Sequence, residues 1–149
     1  MNDFLRNNER FTADLNLVVQ LAMGAALLVG ALLARAKRYS AHGICQSSVL
    51  TLNLVSIFSV MLPSFRDEIW PALPRHLTDA YYGVASAHGL LGVLAESFGI
   101  YLLLVAVNVL PNRLCIRRLR FWMRAELCIW LTAIATGLLT YYVWYMQAP

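Results

Sequence analysis

Charged residues in this chain fall in clusters, and between the clusters lie long stretches with few or none. Leu15 to Ala34 is free of charge; it opens after Asp14 and stops at Arg35, Lys37 and Arg38. Gly43 to Leu62 is also uncharged and ends at Pro63. Ala80 to Leu110 carries only Glu96 and ends at Pro111, and a fourth apolar run extends from Glu126 to Met146. A helix needs roughly 20 apolar residues to cross the hydrocarbon of a bilayer. An open strand there would leave its backbone groups unpaired, so each run reads as a helix. The pattern predicts an all-α fold, a four-transmembrane-helix bundle forming a single membrane domain over residues 1–149, with helices at 15–34, 43–62, 80–110 and 126–146. Between the second and third runs, Pro63, Pro71 and Pro74 interleave with Phe65, Ile69 and Trp70. That segment reads as an interfacial loop whose prolines prevent a long regular helix.

Composition closes off other classes. With 60% hydrophobic and 13% charged residues among 149, the chain has more apolar surface than a soluble core of its size, which buries about 70% of its surface, can hide. A soluble enzyme and a disordered chain are excluded on the same ground. The sequence lacks a phosphate loop, a nucleophile elbow and a zinc-protease motif, which favours a non-catalytic role.

The net charge of +4 comes from two basic connections, Arg35, Lys37 and Arg38 after the first run and Arg113, Arg117, Arg118, Arg120 and Arg124 after the third. Short basic loops stay on the cytoplasmic side. The expected location is therefore the bacterial inner membrane, with both termini outside the cytoplasm. Membrane-flanking arginines account for the charge without nucleic acid as a partner. The strongest positive cluster follows the first run and does not precede it, opposite to the order in a signal peptide, so that run is expected to be retained. Cys45, Cys115 and Cys128 map to the reducing side, where no structural disulfide forms, and their spacing matches no metal signature.

Polar residues inside the runs mark the faces that meet protein. His42, Gln46, Asn53 and Ser56 share one stripe at helical spacing, as do Tyr81, His88, Gly92, Glu96 and Gly99. Thr132, Thr136 and Thr140 recur every fourth position, and Ala22, Ala26, Gly30 and Ala34 form a small face that permits close approach. Gln46, Asn53, Glu96 and Thr136 are the expected polar bundle interior; His42 and Glu126 are expected at the inner boundary, near one another. Glu96 reads either as a proton carrier or as a neutral acid hydrogen-bonded to Asn53 or a threonine. His88 lies about 13 Å past Asp79 by helical rise. With Gly92 one turn along its face it is a candidate haem b ligand, with His76 as a possible companion, or else a histidine hydrogen-bonded to a neighbouring helix.

Ile129, Trp130, Thr136, Gly137 and Tyr141 on the last run, Ser86, Ala87 and His88 on the third, and His42 at the start of the second together resemble the small CtaM/YozB-like bacterial membrane family, associated with haem-copper oxidase assembly. The resemblance covers residues 40–145. It departs before the last helix, where the family tends to have a histidine and this chain has Arg117, Arg118, Leu119 and Arg120. It implies an accessory or assembly role in a larger respiratory, electron-transfer membrane complex. Two alternatives stand beside it: a haem b-binding electron carrier using His88, and a proton-conducting subunit using Glu96.

Overall fold

The computed structural model describes residues 2–116 and 118–146; Arg117, counted above in the basic connection, lies outside them. Four helices carry the fold: α1 (Asn2–Arg35), α2 (Tyr39–Ile69), α3 (Ala80–Ala106) and α4 (Leu119–Tyr145). Each is long and apolar enough to cross a membrane, and no strand occurs among the described residues. Consecutive helices run antiparallel. α1 packs on α2 and α4, and α3 packs on α2 and α4, so the four close into a ring. The connections after α1 and α3 meet at a basic end; the last turn of α2 and the connection after it, with Asp67, Glu68, Arg75 and Asp79, lie at a mixed-charge end.

All four helices differ at their ends from the charge-free runs, because charge marks where hydrocarbon stops and not where a helix must. α1 begins at Asn2 and α4 at Leu119, extending the apolar runs with polar turns; Arg120 and Arg124 are exposed there and carry their charges on long stems. α3 stops at Ala106, short of Pro111, because Asn108 turns left-handed (φ 57°), with Val109 N–H bonding Leu104 O (3.1 Å) and Asn108 N–H bonding Val105 O (3.2 Å). α1 ends the same way at Lys37 (φ 60°), with Arg38 N–H on Leu33 O (2.9 Å) and Lys37 N–H on Ala34 O (3.1 Å). These paired bonds satisfy terminal carbonyls, a motif that usually places glycine where Lys37 and Asn108 stand.

The largest correction concerns residues after Pro63, where the expected interfacial loop is helix as far as Ile69. A proline removes one donor and its ring collides with the carbonyl four residues back. The backbone avoids the collision by widening beforehand: Ile57–Met61 is π-helical, and Leu62 N–H bonds Ile57 O, five residues back. Ser59 Oγ donates to Val55 O (2.6 Å) across the same turn. A second π turn, Phe65–Ile69, closes with Trp70 N–H on Phe65 O (2.9 Å). The continuation leans on α3: Ile69 is fully buried, and Phe65 lies over Gly89.

The apolar core joins all four helices through Met23 and Leu27, Val49 and Leu50, Ala95, and Trp130. In lipid, burying these side chains gains little from the hydrophobic effect, since acyl chains are equally apolar. Close packing and polar contacts between helices must hold the bundle instead. Glycines supply the closeness: a Cβ on Gly24 would come within 3.0 Å of Ile134, and one on Gly99 within 2.7 Å of Leu50. On α1, Ala26 and Gly30 of the small face meet Cys45 and Gln46 of α2, whereas Ala22 is exposed. Only 11% of the apolar window of α4 is buried, so Leu131, Leu138 and Leu139 present a lipid-facing side.

Two α3 glycines should respond oppositely to alanine. A Cβ at Gly83 would sit 2.9 Å from the Leu77 carbonyl oxygen, so Gly83→Ala must move backbone and should destabilise by about 1–3 kcal/mol. Nothing lies within 4 Å of a Cβ at Gly92. There alanine should stabilise by about 0.5–1 kcal/mol through helix propensity alone. Unfolding midpoints of the detergent-solubilised variants measure both signs.

Candidate functional site

The middle of the bundle contains a hydrogen-bonded ladder. Asn16 and Gln20, one turn apart on α1, face Asn53 and Ser56 on α2. Ser56 Oγ donates to Asn16 Oδ1 (2.6 Å), and Gln20 Nε2 reaches Asn53 Oδ1 (3.4 Å). Asn53 Nδ2 then donates to Glu96 Oε2 on α3 (2.8 Å). On α4, Trp130 Nε1 donates to Glu126 Oε1 (2.8 Å), one turn earlier on the same helix. Gly99 opens the space for that second pair: its missing Cβ would lie 3.1 Å from Glu126 Oε1 and 3.7 Å from Trp130 Nε1. Glu96 lies one turn before Gly99 on the same helix.

Both acids are deeply buried, Glu96 at 4% and Glu126 at 7% exposure. Each keeps one carboxyl oxygen, Oε1 of Glu96 and Oε2 of Glu126, without a hydrogen-bond partner. Glu126 thus faces the bundle interior. Because α4 starts at Leu119, Glu126 lies two turns inside the helix, rotated about 200° from exposed Arg124.

Between this ladder and the mixed-charge end lies a cavity of about 570 Å³, bounded by all four helices and lined mostly by apolar side chains. Leu21, Asn53, Ala95 and Trp130 form its floor, on the side of the two acids. Trp144 and Tyr145 line it near the mixed-charge end, where Tyr141 OH donates to Asp14 Oδ1, tying α4 to α1, and Trp144 Nε1 donates to Tyr81 O (3.0 Å) with the two rings stacked.

His88 borders the cavity, and its Nδ1 is 2.9 Å from Ala133 O on α4. The ring leans on Gly137, whose missing Cβ would fall 2.8 Å from His88 Cε1. A main-chain bond at Nδ1 fixes the ring and leaves Nε2 as the nitrogen for any further contact, as in ligating histidines. The rest of a haem site is not assembled around it: the described lining residues include no Lys or Arg to neutralise two propionates, and no second histidine. The lining suits a neutral guest.

The structure does not bring His76 to His88. His76 is exposed, with Nδ1 2.8 Å from Asp79 Oδ2 and its ring against Tyr82, at the surface of the connection before α3. His42 does not bond Glu126; its Nδ1 lies 2.8 Å from Gly30 O on α1, and its Nε2 is buried without a partner. Gln46 lies against Gly30. Thr136 does not cross between helices: its Oγ1 bonds Thr132 O (3.1 Å) and Ala133 O (2.9 Å) on its own helix. It meets His88 only through the shared Ala133 carbonyl. Thr132 and Thr140 likewise bond carbonyls four residues back. Asn16 and Gln20, which the sequence reading passed over, were visible as amides one turn apart in the first charge-free run. The Glu126–Trp130 bond had a signal in its i, i+4 spacing.

No family model, no curated protein and no solved structure matches this chain. Among the described residues, no group of three or more His, Cys, Asp or Glu side chains could hold a metal ion.

The Asn53–Glu96 bond predicts a non-additive pair. Asn53→Leu strands the buried Glu96 Oε2 and should lower stability by about 1–3 kcal/mol. Adding Glu96→Leu should recover most of that loss, because removing both partners of a buried hydrogen bond approaches neutrality. Detergent unfolding of the two single variants and the double variant tests the coupling.

Proposed function

We propose that this protein is a non-catalytic accessory or assembly subunit of a larger electron-transfer complex in the bacterial plasma membrane, docking through the outward face of α2. One observation carries the docking part. Gly43, Ser47, Thr51 and Val55 recur every fourth position; Thr51 and Val55 are exposed, and nothing in the chain lies within 4 Å of a Cβ at Gly43. Ser47, Thr51 and Val55, with Ser48 and Leu52, line a shallow groove. Their hydroxyls are already satisfied, Ser47 Oγ donating to Gly43 O (2.6 Å) and Thr51 Oγ1 to Ser47 O (2.9 Å). The ridge can therefore meet another helix closely without stranding a polar atom, as small-residue helix interfaces in membranes do.

The oxidase-related part rests on the resemblance carried by His88, Trp130, Thr136, Gly137 and Tyr141. Three of them meet where α3 faces α4: His88 and Thr136 share the Ala133 carbonyl, and Gly137 makes room for the imidazole. The orientation belongs to the same reading: Arg35, Lys37, Arg38 and the arginines around α4 hold the basic end in the cytoplasm, which puts both termini outside.

Purification from native membranes in mild detergent tests the reading. The wild type should copurify with a larger haem-containing complex, and Ser47→Leu/Thr51→Leu should lose that association with its unfolding midpoint unchanged. A free protein with its own haem spectrum, lost in His88→Ala, would replace this reading with the electron carrier. In intact cells, Thr78→Cys should react with a membrane-impermeant maleimide while a cysteine replacing Arg113 stays protected; the reverse pattern would invert the topology.

A further inference from the structure

We propose that Glu96 and Glu126 together form one proton-binding site, which exchanges its proton only with the mixed-charge side of the membrane, through the cavity floored by Asn53 and Trp130. The inference is independent of what α2 docks against.

Geometry and burial carry it. Two carboxyls on neighbouring helices lie within a turn of Gly99, at 4% and 7% exposure, each with one oxygen fixed by a neutral donor and the other unpartnered. Among the described residues, no Lys or Arg pairs with either acid. Two ionised carboxylates so placed would repel one another in a medium that solvates neither, and the orphaned oxygens would add their own desolvation cost. A proton on one of them removes the repulsion and turns its orphaned oxygen into a donor, leaving the other acid's as an acceptor. Asn53 and Trp130 supply donors to both acids and so keep each carboxyl oriented whether its own proton is present or absent.

Access is one-sided. The two residues bonded to the acids are also cavity lining, and the cavity runs from them along Gly92 and His88 toward Tyr141 and Trp144. In the other direction Leu27, Val49, Leu50, Leu102 and Val105 are all buried and close the bundle toward the basic end. The cavity has room for water, with Gln20, Asn53 and His88 as polar partners along it. The ionisable groups facing this route are Asp14 on α1, which accepts from Tyr141, His88 on α3, and Tyr141 and Tyr145 on α4; α2 contributes Asn53 and no charge. The step is a proton transfer between a carboxyl oxygen and water entering the cavity, with no other bond made or broken. A site sealed toward the basic end stores or buffers a proton and does not conduct one across.

Infrared spectroscopy of the full-length protein in lipid vesicles tests this directly. At neutral pH the wild type should show a carboxylic-acid C=O band that is missing from Glu96→Gln/Glu126→Gln and shifts when the medium is changed to D2O. Gly92→Phe, which fills the open stretch of the cavity, should keep the band but slow its shift by roughly tenfold, as expected when a bulky side chain occupies the route water must take. As a check that needs no variant, an apolar carbodiimide should modify Glu96 or Glu126 in the wild type, because these reagents attack protonated carboxyls in membranes. Absence of the band, a band that never shifts in D2O, or an exchange rate indifferent to Gly92→Phe would each overturn the proposal.

Discussion

The fold turns on one hydrogen bond, from Asn53 Nδ2 to Glu96 Oε2, made between two buried side chains inside the bundle. In an aqueous protein the net gain of such a bond is about 1 kcal/mol, since the separated groups are well solvated. Here hydrocarbon gives the helices no reason of their own to associate, so polar groups that must find partners decide which faces meet. Asn53 is where three helices are joined: it accepts from Gln20 on α1 and donates to Glu96 on α3. The apolar core surrounds that junction and fills the space the polar contacts have defined.

The second organising feature is the division of the interior along its length. Toward the basic end the core is tight, with Met23, Leu27, Val49 and Leu50 interlocked and glycines drawing the backbones together. Toward the mixed-charge end the same four helices diverge around the cavity, and their contacts pass to aromatic side chains: Tyr81 on Trp144, and Tyr141 on Asp14. The acids lie at the boundary between the two regimes, held there by Asn53 and Trp130.

Much of this was legible in the residues alone. Four apolar runs gave four helices, and the Asn53–Glu96 bond was one of the partners the residues offered for Glu96, beside a threonine. What escaped has physical causes. The end of α2 was hidden because Pro63 ordinarily ends a helix, and nothing in Ile57–Met61 announces the wider turn that accommodates it. The end of α1 was legible in charge, but its left-handed turn falls on Lys37, where sequence reading looks for glycine. Glu126 opens the fourth apolar run, and its linear proximity to Arg120 and Arg124 hid that they are exposed while it is buried. Thr136 was assigned to the interior by spacing, yet threonine in a helix can satisfy its hydroxyl on a backbone carbonyl one turn back, and it does so.

The wide turn at Ile57–Met61 also sets how α2 could have been assembled over time. A π turn holds one residue more than the regular helix it interrupts, so everything beyond it is rotated by about 100° relative to an uninterrupted helix. That rotation brings Phe65 over Gly89 and carries Ile69 into a fully buried position. Loss of a single residue there would leave the first half of α2 in register with Glu96 while swinging the second half toward the acyl chains and unroofing the cavity, so insertions and deletions in this stretch act as a selector of cavity shape that point substitutions cannot mimic.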